Sequence, residues 1–133
     1  MKKLFYNIFV MDKKCDYAGV FYPAEVEELH NLLDSFKQDK KIELKSKAII
    51  VPHAGYIYSG HAANAGYQYL DICENVFIIG PSHHFEFNNI AMPEYSFFET
   101  PFGNLEVNNR LIKEISEKFP SEINNDYFEK EHS

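Results

Sequence analysis

The chain has 133 residues, 45% of them apolar, enough for one domain with a core of ordinary size. Thirteen lysines and arginines stand against 20 acidic residues, and the net charge of -7 argues against nucleic acid or a membrane surface as partner. Two cysteines without CxxC spacing, Cys15 and Cys73, and no apolar window near the roughly twenty residues of a membrane span predict a reduced, cytoplasmic protein.

Residues 1–10 carry Lys2, Lys3 and a short apolar run broken by Asn7, too short for a signal peptide and lacking an A-x-A-like site. Further on, Pro23 suits a first helical position, and Glu25, Glu27 and Glu28 complement the dipole of a first turn. Val26, Leu29, Leu33 and Phe36 recur at helical spacing. The pattern predicts an amphipathic helix from about Pro23 to Lys37, then a lysine-rich connection from Lys37 to Lys47. His30, at the flank of the stripe, reads as a half-exposed helix residue.

Ala48 to Val51 is a continuous apolar run that suits a strand buried on both faces, ended by Pro52. After a loop from His53 to Tyr58, Ser59 is placed to cap a helix carrying Ala62, Ala63, Ala65, Tyr67 and Leu70. A second apolar run, Val76 to Ile79, stops at Gly80-Pro81. Strand, helix and strand in this order predict a βαβ unit with parallel strands and a right-handed crossover. Beyond it, Asn89 to Met92 and Tyr95 to Glu99 read as strands, and Thr100 to Gly103 as a turn. Asn108 or Asn109 caps a last helix with Leu111, Ile112, Ile115 and Phe119 on one face, ended by Pro120. The tail from Ser121 is polar and suggests no further element. The fold class is therefore α/β, with a parallel or mixed central sheet flanked by helices.

Ligand sites of open parallel sheets lie beyond the carboxyl ends of the strands, and His53 and His83 each follow a strand-ending proline there. Neighbouring strands are about 4.8 Å apart, so two imidazoles at adjacent ends are able to meet on one metal ion. Imidazole suits iron, copper, zinc and nickel alike, and each histidine could instead simply hydrogen-bond its own loop. The segment Gly55 to Gly60 has glycines spaced as in a phosphate loop, but His61 and Ala62 stand where lysine and serine or threonine are needed. No nucleotide is expected. Backbone amides at the helix start still offer an anion pocket beside His53, with Ser59 at its base. Tyr56 and Tyr58 line that pocket, or one of them turns into the core. His84 reads as a neighbour of the site and Cys73 as a small packing residue rather than a nucleophile.

In order and spacing, Ala18 to Pro23, Val51 to Gly60, Gly80 to His84, Thr100 to Gly103 and Glu131-His132-Ser133 closely resemble the Memo family. The resemblance implies a fold like the class III extradiol dioxygenases and a metal pocket at the strand ends. It implies that His53 and His83 are metal ligands and that His132 belongs to the same pocket. Iron or copper is the implied metal, with zinc an alternative, and the implied chemistry is non-haem oxidoreductase or dioxygenase-like, the reaction itself being unassigned. Its bacterial and archaeal members, the B component of the AmmeMemoRadiSam system, imply AMMECR-type and radical SAM proteins as partners. A further ligand, a cysteine, lies in the family's second half. The chain thus reads as the N-terminal portion of a Memo-like domain over residues 11–133, with residues 1–10 as an extension because Met11 stands where family chains begin. An interrupted sheet has an unpaired edge, so self-association is expected. The alternative is a non-catalytic module that binds an anionic or phosphotyrosine-type peptide at the Ser59 helix start.

Overall fold

The computed structural model describes residues 11–37 and 43–132. Residues 1–10 and the centre of the lysine-rich connection, both subjects of sequence expectations, lie outside the described residues, as does Ser133. The elements in chain order are β1 (Asp12–Lys13), α1 (Val26–Ser35), α2 (Tyr56–Tyr67), β2 (Ile90–Met92), β3 (Phe97–Thr100), β4 (Gly103–Glu106), α3 (Asn109–Ser116) and β5 (Ser121–Ile123), followed by a 3-10 turn, Asn125–Phe128. They fall into two compact units. Among the described residues, one comprises 11–15 together with 87–129; the other comprises 16–37, 43–86 and 130–132.

The first unit holds both sheets. β3 pairs in parallel with β1 and antiparallel with β4, a mixed three-stranded sheet in which Asp12 faces Phe97 and Phe98 faces Leu105. The hairpin turn at Pro101-Phe102 is fixed by Thr100, whose hydroxyl donates to the Gly103 carbonyl at 2.7 Å, and by Gly103 at φ 120°, a backbone conformation that side chains disfavour. A second, two-stranded sheet pairs β2 with β5 in parallel, Ile90 opposite Ser121. Buried Met92 and Tyr95 form the core of this unit, with Tyr95 edge-on to Phe98 at 5.7 Å and its carbonyl accepting from the Asn109 side chain at 2.8 Å.

Asn108 is the N-cap of α3, its side chain accepting from the Leu111 amide at 3.0 Å. That bond satisfies an amide with no partner inside the helix, so Asn108→Ala is expected to cost about 1 kcal/mol, measurable as a shift of the urea midpoint.

The second unit is built on two helices. α1 begins at Val26, with Glu25 at the N-cap, rather than at Pro23, and the apolar stripe buries Leu29 and, just past the helix, Phe36. Phe36 packs against α2: its ring lies 4.9 Å from that of His61, and the Asn64 side chain donates to its carbonyl at 2.8 Å. Gly60 permits this approach, because a Cβ there would stand 2.3 Å from the Phe36 ring.

Two expectations are corrected here. The runs 48–51 and 76–79 form no strands, and the βαβ unit predicted from them is absent among the described residues. Backbone pairing stops short of them, at an isolated parallel bridge between Ser46 and Leu70, with the Ser46 amide bonded to the Tyr69 carbonyl at 2.6 Å. An apolar run favours extended chain, but a strand exists only where a neighbour supplies the ladder, and here Ile50, Ile78 and Ile79 stand in the open. The polar tail, conversely, supplies β5 and the 3-10 turn. No helix among the described residues is long and apolar enough to cross a membrane, and Cys15 and Cys73 are both free thiols.

Candidate metal centre

The loops carrying His53 and His83 bring their side chains together even though no strands precede them. The two Nε2 atoms lie 3.4 Å apart and the rings meet edge to face, centroids 5.2 Å apart. Such a separation is long for a hydrogen bond. It matches two ligands of one ion, since nitrogens each about 2.1 Å from a tetrahedral centre stand about 3.4 Å from one another. The donor chemistry therefore fits a transition metal shared by His53 and His83.

The chain's last described residues complete the surroundings. His132 stacks on His83, centroids 4.1 Å apart and planes 24° from parallel, with its ring edge-on to Phe21 at 4.8 Å and to Tyr17 at 5.5 Å. Burial among these rings, and then the neighbouring His83, lower the pKa of His132, so its imidazole favours the neutral form that a metal requires. Glu131 joins it: one carboxylate oxygen lies 2.6 Å from His83 Nδ1, and the other accepts the His83 amide at 2.8 Å. Glu131 is the most enclosed of the three side chains, 12% exposed against 22% for His132 and 31% for His83. Together Glu131, His83 and His132 bring potential ligand atoms within 4.8 Å of one another.

The remaining pocket residues divide. His84 Nε2 lies 3.1 Å from the Lys130 carbonyl, to which only a protonated nitrogen donates, so His84 is engaged beside the site. Tyr56 turns inward against Tyr22, ring centroids 5.4 Å apart, and its burial raises its pKa; Tyr58 points into the open. Ser59 does not cap α2. The helix starts at Tyr56 with Gly55 as N-cap, and Ser59, already inside the first turn, donates its hydroxyl to the Ala54 carbonyl at 2.8 Å. The amides of Tyr56, Tyr58 and Ser59 are likewise bonded to carbonyls of Phe21 and Gly55, which leaves little of this helix start for an anion.

The profile of the Memo-like protein family matches residues 13–133. This chain belongs to the Memo family. A MEMO1 family protein of Aquifex aeolicus is 42% identical over 77% of the chain, one of Schizosaccharomyces pombe 34% over 91%, and human Protein MEMO1 31% over 80%. The matched stretches span 39%, 40% and 37% of those proteins, so this Memo chain corresponds to well under half the length of its curated relatives.

Glu131 is the residue that sequence reasoning passed over. It stands next to His132 in the very stretch that carries the resemblance, and it lies 48 positions from His83, a distance across which spacing predicts no pairing.

Proposed function

We propose that this Memo family chain binds a transition metal ion through His53 and His83, at a cleft whose rim includes His132. The observation that carries the reading is the 3.4 Å separation of the two Nε2 atoms, with both rings partly open to solvent. Iron or copper is the proposed metal, with zinc the alternative, because imidazole serves all three. When bound, such an ion would supply Lewis-acid or redox chemistry, consistent with a dioxygenase-like fold and a cytoplasmic setting for the family. The residues of this chain hold the ion beside the His132 ring, itself packed against Phe21 and Tyr17, and leave its other positions to water, so binding should be weak. AMMECR-type and radical SAM partners are proposed on the same family resemblance. Binding of an anionic peptide has less support, because the α2 amides are engaged. Self-association is part of the proposal: Ile50, Ile72, Ile78 and Ile79 are exposed apolar side chains that a second copy could cover.

The test is metal analysis of protein purified without chelator, followed by titration of the metal-free chain with Fe²⁺, Cu²⁺ and Zn²⁺. About one ion per chain is expected at saturation. A chain that carries no metal and takes up none would overturn the reading.

A further inference from the structure

A carboxylate that grips a histidine at both its ring and its backbone fixes which ring nitrogen is protonated and where the ring points. Glu131 does this to His83, through Oε1 at Nδ1 and Oε2 at the amide. We infer that Glu131 is a positioning residue, which holds His83 in the Nδ1–H tautomer and turns its bare Nε2 towards His53. The role assigned to that Nε2 rests on the metal-binding reading of the histidine pair.

Ionised carboxylates only accept, so the imidazole nitrogen facing Oε1 must carry the proton, and the lone pair of a neutral His83 is then on Nε2. At 2.6 Å the contact is a short, charge-assisted hydrogen bond, and a ring nitrogen whose proton fills that bond is not at the same time a metal ligand. Glu131 therefore orients His83 through Nδ1 and leaves ligation to Nε2. The carboxylate is held in turn, since Oε1 also accepts the His132 amide at 2.8 Å. The backbone that delivers it is unusual: Lys130 has φ 58°, a left-handed conformation uncommon outside glycine. Its carbonyl accepts from the Tyr17 hydroxyl and from His84 Nε2, which pins the turn. Ligand histidines that donate their second ring nitrogen to a carboxylate gain basicity and a fixed orientation.

The test uses the full chain, ¹⁵N-labelled at histidine and metal-free, in mildly alkaline buffer. Long-range ¹H–¹⁵N correlation should find wild-type His83 as the Nδ1–H tautomer and Glu131→Ala shifted towards Nε2–H. The same variant should bind Zn²⁺ about ten- to a hundredfold more weakly. An Nε2–H tautomer at wild-type His83 would overturn the inference whether or not any variant folds, and so would a tautomer unchanged in folded Glu131→Ala. Should wild type take up no metal while the tautomer shifts as expected, the metal reading falls and the positioning of His83 by Glu131 stands.

Discussion

Alanine at position 83 is expected to lower transition-metal affinity by more than about a hundredfold, beyond the range seen when only a supporting group around a metal site is lost. His53→Ala should do the same, because each substitution leaves a single imidazole where two nitrogens stand 3.4 Å apart. The double variant should then be no worse than the weaker single one, since a lone histidine already has little affinity. His30→Ala is the control: that residue lies on exposed positions of α1, and affinity should stay within about twofold. Competition titration against a chromophoric chelator reads all four proteins. Unchanged affinity in both single variants would place the ion elsewhere.

Phe36→Ala is expected to be the most damaging substitution in the helical unit, costing about 3–5 kcal/mol of a total stability of order 5–15 kcal/mol. The ring is 5% exposed, lies against Gly60 and His61, and closes the end of α1 onto α2. From the opposite side of the contact, Gly60→Val would drive a Cβ to 2.3 Å from the same ring and should cost about 1–3 kcal/mol, despite the better helix propensity of a residue with a side chain. The two changes should be less than additive, because the alanine at 36 removes the atoms that the valine at 60 meets. Urea denaturation of the two single variants and the double variant measures the coupling, and strict additivity would mean that the Phe36–Gly60 contact is not what limits either.

What was legible in the sequence followed local rules. The stripe Val26, Leu29, Leu33 and Phe36 marked α1, and Asn108 with the apolar face after it marked α3, because spacing and capping act within a few residues. Thr100 to Gly103 was readable as a turn for the same reason. Pairing was not legible. The strongest apolar runs, 48–51 and 76–79, have no ladder, whereas the two-residue β1 and the polar β5 do, since a strand's partner lies far away in sequence. Pro23 misplaced the start of α1 by suggesting a first helical position that the chain does not use. At the site, His53 and His83 stood out by following equivalent prolines, a local signal. Ser59 was misread as a cap because the helix opens three residues earlier, and Glu131 acquires its meaning only through a contact made by folding.

That contact also governs when the site can exist. Glu131 meets His83 across 48 positions, and the intervening residues 87–129 belong to the other compact unit. Closing a loop of that length costs about 3 kcal/mol in chain entropy, which the bond between Glu131 and His83 has to offset. Contacts of such sequence separation tend to follow local ones, so His83 is expected to gain this orientation late in folding. An ion held there would act as a latch on the finished fold, slowing departure from it without hastening arrival.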